Sequence, residues 1–261
     1  MLGELDGKVA IVTGGSQGIG LAIARTFLRE GSAVVTCARS SFDFCPAAED
    51  ADQASRAMHV ATDVRDDVQL DHLIQTTVDR FGRIDILVNN AGGQPPADIA
   101  EASPRFIRAI IDLNLVAPTV LAIKAYQVMK AQESGGSIIN ISSQASMVGD
   151  GGRFLAPYGA AKAGLNHMTR SLGIAWGRKV RVNCVSPGYV DTDVMAELLL
   201  PNDGDADALQ SRLPVGRMGT VDDIAQACLY LSTDRASFIN GATLWVDGGG
   251  LQPVDTYSDQ T

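Results

Sequence analysis

Tyr158 stands four residues ahead of Lys162 in PYGAAK, a pairing that could move a proton. On a helix the two share a face. A phenol with a pKa of about 10 is a poor base near neutrality. A cation beside it favours the phenolate and lowers that value, which makes the group usable as donor and acceptor. Upstream, the apolar run Ile138–Ile141 opens into Ser142 and Ser143. A serine at the C-terminal end of a strand, where open sheets bind ligands, could hydrogen-bond a substrate oxygen. A second constellation follows the run Val9–Val12: Thr13-Gly14-Gly15-Ser16-Gln17-Gly18-Ile19-Gly20, leading directly into a helix. Glycines there permit a tight turn and close approach of backbone to phosphate, and the helix N-terminus attracts a pyrophosphate. His59, His72 and His167 have no ligand spacing, and no HExxH or paired-carboxylate site is present, so no metal is expected.

The elements that must carry these residues alternate. Unbroken apolar runs, as expected for strands covered on both faces, occur at Val9–Val12, Ala33–Thr36, Ile86–Val88, Ile138–Ile141, Val180–Val185 and Thr243–Val246. Helical periodicity fills Ile19–Glu30, Val68–Phe81, Phe106–Lys130, Ala161–Trp176 and Val221–Leu231. Thr220 with Asp223 has the spacing of a capping box before the last of these. Strand alternating with helix predicts an α/β fold, a doubly wound Rossmann-type parallel sheet with helices on both faces. Ser40–Met58 reads as a loop or a poorly marked helix, and residues 193–220 as a loop insertion.

The chain has 261 residues and is 46% hydrophobic, which excludes disorder and allows one large domain or two small ones. Thirty acidic residues against 21 basic give a net charge of -9, a balance that repels nucleic acid. The start MLGELDGKVAIV lacks the basic region of a secretory signal, and no run reaches membrane-span length; the best, around Leu113 to Ala125, is interrupted by Asn114, Pro118 and Lys124. Cys37, Cys45, Cys184 and Cys228 show no metal spacing, and buried free thiols suit the cytoplasm.

The loop TGGSQGIG is spaced G-x3-G-x-G and resembles the cofactor loop of the short-chain dehydrogenase/reductase family. Four further segments fit in order: Asp63-Val64, Asn89–Gly92 (NNAG), ISS with Tyr158-x3-Lys162, and Pro187-Gly188 with Val190 and Thr192. The resemblance spans Gly7 to Gly249 and implies one domain, with residues 251–261 as a tail. It assigns Tyr158 as general acid/base, Lys162 as the residue that tunes it and holds the nicotinamide ribose, and Ser143 as the group polarising the carbonyl, with Ser142 as fallback. Asn114 matches the asparagine that binds a water in a proton relay to the lysine; an Asn satisfying backbone groups at a helix irregularity is the alternative. Around the cofactor it places Gly14, Ser16, Gln17, Gly18, Ile19 and Gly20 at the pyrophosphate. Asp63 and Val64 go to the adenine, though Asp63 could equally cap the following helix. Asn90, Ala91 and Gly92 border the cofactor, as do Pro187 and Gly188, and Val190 and Thr192 after them hold the carboxamide.

The second strand ends in Thr36-Cys37-Ala38-Arg39 with no carboxylate, and a guanidinium matches a 2′-phosphate, so NADP(H) is favoured over NAD(H). Arg39 could instead stack on adenine, and Gln17, where relatives often carry a second cation, leaves NAD(H) open. The expected function is reversible hydride transfer between NADP(H) and a small-molecule carbonyl or secondary alcohol. A 3-oxoacyl-thioester reductase or a non-catalytic nucleotide-binding scaffold are the alternatives. Residues 93–96, 145–156 and 189–213 are the expected substrate surroundings, with Arg153 and Arg212 as candidate anion contacts. The strand Thr243–Val246 and its glycine turn resemble a segment used in homotetramer assembly.

Overall fold

In the computed structural model, residues 3–41, 44, 51–95, 97–147, 152–193, 195 and 206–250 are described. Seven strands form one sheet: β1 (Val9–Thr13), β2 (Ala33–Ala38), β3 (Ala57–Ala61), β4 (Ile86–Asn89), β5 (Gly136–Ile141), β6 (Val180–Pro187) and β7 (Thr243–Val246). Their order is β3-β2-β1-β4-β5-β6-β7, and every pairing is parallel. β1 lies between β2 and β4, so the direction of winding reverses there and a crevice opens above the strand ends.

Burial explains the runs of Val and Ile. On one face Phe27 and Ile23 of α1 (Gly18–Arg29) pack with the sheet residues Val12, Val34 and Val88 and with Ile224 and Leu229 of a later helix (Val221–Ser232). On the other face Leu70 and Leu73 of α3 (Asp67–Phe81) and Leu121 and Ala125 of α5 (Ala117–Met129) cover Ile11, Val35, Leu87 and Ile138. The intervening helices are α2 (Ala51–Arg56), α4 (Pro104–Ile111) and α6 (Gly152–Trp176). α7 (Ala206–Ser211) follows, and the Val221–Ser232 helix is α8.

Several sequence expectations change. The stretch Ser40–Met58 holds the short helix α2 and runs into β3, which was not expected; this edge strand is only half-buried and carries His59, so it lacks the apolar run that marks the inner strands. Phe106–Lys130 is two helices joined by a π-helical turn, Asp112–Val116. Pro118 is the reason: it has no N–H to offer the carbonyl four residues back, and its ring crowds that carbonyl. Contrary to the expectation that no run reaches membrane-span length, Pro104–Met129 is long and apolar enough to cross a membrane by length and composition alone; its 18-residue apolar window has a mean hydropathy of 1.8 and is 33% buried. α6 begins at Gly152 rather than Ala161, so Tyr158 is helical. Finally, Asp63 does not cap α3; Asp66 does, accepting from the N–H groups of Val68 and Gln69.

The insertion after β6 is closed at its base. Val190 bridges Gly219 in parallel, with Asp191 N–H donating to the Gly219 carbonyl (2.8 Å) and Gly219 N–H to the Tyr189 carbonyl (2.8 Å). Within it α7 is described, whereas residues 194 and 196–205, the side chain of Arg153, Cys45 and the 251–261 tail lie outside the described residues.

Candidate active site

A cleft of about 510 Å³ runs across the C-terminal ends of β1, β2, β4, β5 and β6. Its walls at one end are the glycine loop. Gly14 has φ +64°, and a Cβ there would stand 2.9 Å from Asn90 Nδ2; a Cβ on Gly20 would stand 2.2 Å from the Gly14 carbonyl oxygen. The Asn90 amide donates to the carbonyls of Thr13 (2.9 Å) and Gly14 (3.2 Å), and the Thr13 hydroxyl accepts from the N–H groups of Asn90 and Ala91 (both 2.9 Å). NNAG thus locks the loop to β4. At the start of α1, Gln17 sits at the N-cap with no side-chain capping bond, which leaves the first N–H groups of the helix facing the cleft for an anion. A loop without side chains at its turns and a helix end without a cap fit a dinucleotide pyrophosphate.

The cleft is also cationic, although the protein is acidic. Its charged lining residues are Arg39, Arg65 and Lys162 against Asp63. Arg65 grips Asp63 with both arms, Nε at 3.0 Å and Nη2 at 2.7 Å, and the Arg65 guanidinium holds that carboxyl below its ordinary range. Arg39 adds to this pull from the end of β2. The sequence reading missed Arg65; the D-x-R spacing beside a β-strand end was the available signal.

At the other end of the cleft α6 meets the segment after β5. Lys162 is only 3% exposed, and its ammonium donates to the Ile141 carbonyl at 2.8 Å. Burial lowers its pKa from 10.5 to about 8, with a small opposing effect of Cys184. Tyr158 is half-buried, with its ring centroid 5.6 Å from Lys162 Nζ. The expectation that Lys162 brings the phenol's pKa down is corrected here. Burial raises it above its ordinary value, and the group pulling it down is Ser143, which is hydrogen-bonded to the phenol. The lysine is engaged elsewhere, by the strand-end carbonyl. Ser142, the fallback serine, is buried and donates to the Lys162 backbone carbonyl (3.3 Å), so it points away from Tyr158.

Asn114 does not line the cleft. It is fully buried, donates to the carbonyls of Gly93 and Ile110 (2.9 Å each) and accepts from Gly93 N–H (2.8 Å). Its amide stitches the π turn to the NNAG segment, which is the structural alternative read from the sequence. A Cβ on Gly92 would stand 2.7 Å from Asn114 Oδ1 and 3.1 Å from Lys162 Nζ, so the glycine is what lets these groups converge. The remaining expected cofactor residues, Ser16, Gly18, Ile19, Val64, Ala91, Pro187, Gly188, Val190 and Thr192, all line the same cleft. So do Cys37, Leu113 and Met195, which the motifs did not single out. Arg212 is exposed and outside the cleft lining.

A doubly wound sheet with a phosphate-fitting glycine loop and a Ser–Tyr–Lys group in one cleft defines a nucleotide-dependent oxidoreductase. The comparisons narrow this. Residues 14–250 match the family profile described as enoyl-(acyl carrier protein) reductase. The chain is 38% identical over 246 residues to cis-4-hydroxycyclohexanecarboxylate dehydrogenase of Sinomonas cyclohexanicum, covering 93% of this chain and 96% of that one. It is 36% identical to the NADP-dependent (R)-specific alcohol dehydrogenase of Lentilactobacillus kefiri, covering 95% and 98%. The ligand-free aldohexose dehydrogenase of Thermoplasma acidophilum superposes with a TM-score of 0.87 at 30% identity, covering 99% of this chain and 100% of that one. The chain belongs to the short-chain dehydrogenase/reductase family and is an oxidoreductase that uses a nicotinamide dinucleotide.

Proposed function

We propose that this enzyme interconverts a ketone or aldehyde and the corresponding alcohol, with NADP(H) preferred, and that Tyr158 carries the proton. The observation that carries the reading is the hydrogen bond between Tyr158 and Ser143 above the buried Lys162, in a cleft continuous with the glycine loop. When bound, the nicotinamide supplies or accepts the hydride. Ser143 holds the substrate oxygen. The raised phenol pKa keeps Tyr158 protonated at neutral pH, which is the form needed to donate to the oxygen of a ketone as it becomes an alkoxide. In the oxidative direction the phenolate is required, so that reaction is favoured by alkaline pH. Lys162 lies at the base of the cleft, where its charge faces the developing anion and its donors face a ribose. Both amide hydrogens of Asn114 are taken by the carbonyls of Gly93 and Ile110, so its side chain has no donor left for a relay water.

Arg39 at the end of β2 supports the preference for a 2′-phosphate. So does Arg65, which neutralises the one carboxylate lining the cleft. The NADP dependence of the L. kefiri relative points the same way. The substrate-side lining that is described, Gly93, Leu113, Ser143, Thr192 and Met195, is small or apolar, which suits an uncharged compound of medium size.

The test is a panel of cyclohexanone, acetophenone, an aldohexose and a 3-oxoacyl thioester, each followed at the nicotinamide absorbance with NADPH and with NADH. Turnover of at least one, with a lower KM for NADPH, is expected. Tyr158→Phe is expected to reduce kcat by about 10³-fold or more while leaving dinucleotide binding within a few-fold. Undiminished turnover in that variant refutes the role of Tyr158, and a clear preference for NADH refutes that of Arg39. We further propose a homotetramer, on the strength of two groups of exposed apolar side chains, Val116 with Ile123 and Ile174 with Phe238 and Leu244.

A further inference from the structure

Tyr158, Lys162 and Asn166 are spaced four residues apart and lie along one face of α6. Each reaches the short segment that leaves β5. Tyr158 meets the Ser143 side chain, Lys162 donates to the Ile141 carbonyl at 2.8 Å, and Asn166 Nδ2 donates to Ser146 Oγ at 2.9 Å. The first two contacts belong to the reaction already described. The third has no place in it.

From Asn166 the bonds run on in one direction. Ser146 Oγ donates to the Ser143 carbonyl at 2.7 Å, and Ser146 N–H donates to the same oxygen at 3.0 Å. Ser143 in turn caps the 3₁₀ turn Gln144–Ser146, its hydroxyl accepting from Ala145 N–H at 3.2 Å. Behind Asn166, the buried Cys184 thiol of β6 donates to Asn166 Oδ1 at 3.3 Å. A chain therefore leads from β6 through the Asn166 amide and Ser146 to the backbone of Ser143. Bonds aligned in this way polarise one another. Gly159 lets the helix approach: a Cβ there would stand 2.7 Å from the Ala145 carbonyl oxygen, so α6 and the turn are in direct backbone contact.

We infer that Asn166 is a positioning residue for the reaction: through Ser146 it fixes the Ser143 turn against α6, so that the serine hydroxyl faces Tyr158. It touches neither the phenol nor the ammonium. An asparagine suits the place because one group must donate toward Ser146 and accept from Cys184. Alanine would leave the thiol and the Ser146 hydroxyl each without that partner and free the turn to rotate.

The inference rests on the dehydrogenase reading, and the experiment separates the two. The panel ketone that turns over fastest with NADPH is used for the parent, Asn166→Ala, Ser146→Ala, Ser143→Ala and the Asn166→Ala/Ser143→Ala pair. If Asn166 acts through Ser143, Asn166→Ala and Ser146→Ala each lower kcat by about tenfold with the KM for NADPH within twofold, whereas Asn166→Ala added to Ser143→Ala costs less than about twofold more. Amide exchange over residues 143–147 reads the same tether without turnover, and is expected to quicken in Asn166→Ala while exchange in the β-sheet stays constant. A full tenfold loss in the Ser143→Ala background, an unchanged kcat, or unchanged exchange of the turn each overturns the role of Asn166. A parent without turnover on any ketone overturns the dehydrogenase reading instead, and the tether then stands or falls on the exchange result.

Discussion

Lys162 shows how much of this site is held against the preferences of its own side chains. A lysine that is 3% exposed, with a pKa near 8, is charged at neutral pH only at a cost. A fall from 10.5 to about 8 corresponds to roughly 3 kcal/mol of destabilisation at pH 7, since one pKa unit is worth about 1.4 kcal/mol. The folded state releases its proton before the unfolded chain does. Between about pH 8 and 10.5 the unfolded state therefore binds more protons, and stability rises with pH across that window. Lys162→Met removes the buried charge and leaves the Ile141 carbonyl unpaired, a loss of about 1 kcal/mol. The variant is expected to be inactive and more stable than the parent by about 1–2 kcal/mol at pH 7. Denaturant titrations from pH 7 to 10 should show that advantage shrinking as pH rises; a constant difference contradicts the assignment. The sequence pointed to the residues that meet here, because Tyr158, Lys162 and the serine pair stand at the spacing of the active-site segment that they resemble. It did not show that the lysine bonds a strand-end carbonyl while the serine tunes the phenol, since both depend on how α6 lies on β5.

At the scale of elements, most boundaries were legible wherever a strand is buried on both faces or a helix carries its own stop signal. α8 is the clearest case. Thr220 accepts from Asp223 N–H (3.2 Å), Asp223 accepts from Thr220 N–H (2.7 Å), and Arg217 clamps the same carboxylate at 2.7 and 3.1 Å. The Arg217 guanidinium and these donors hold the Asp223 carboxyl well below its ordinary range. Asp223→Ala is expected to cost about 1 kcal/mol, the usual worth of such a cap. Because the folded-state pKa is depressed, that contribution is present above the ordinary carboxyl value of 3.8 and fades as pH falls through it and below. Thermal unfolding of parent and variant at pH 7 and pH 3 reads both. β3 escaped notice because an edge strand needs no apolar run. His59 there bonds Thr36 Oγ1 (3.0 Å) through Nδ1 and the Ser40 carbonyl (3.1 Å) through Nε2, a tie between neighbouring segments that no one-dimensional pattern signals. The π turn escaped because apolar periodicity continues through it, although Pro118 marks the place where the helical ladder must change.

Over the whole molecule, charge and apolar surface are distributed unevenly. The chain carries a net charge of -9, whereas three of the four charged residues lining the cleft are cations, so a dinucleotide meets a favourable local field there. Among the exposed apolar side chains two groups stand out. One lies along the helix pair with Val116 and Ile123; the other is near the β7 edge, where Ile174, Phe238 and Leu244 are uncovered. The homotetramer proposed above pairs each group with its copy on another chain, about perpendicular two-fold axes. Light scattering after gel filtration is expected to give the mass of four chains. Ile123→Glu or Phe238→Glu alone should each give two, and a monomeric parent rules the assembly out.

The bridge between Val190 and Gly219 has a further consequence. It joins the two ends of the insertion just where the chain leaves and re-enters the scaffold, next to Pro187-Gly188 on one side and the Thr220 cap on the other. Length and composition can therefore drift between those ends while the sheet, the proton-transfer group and the nucleotide cradle stay in register. The stretch between those ends is in that sense separable from the scaffold, and grafting the corresponding stretch of a relative onto this neck, with turnover of the ketone panel as the readout, tests whether it carries substrate preference.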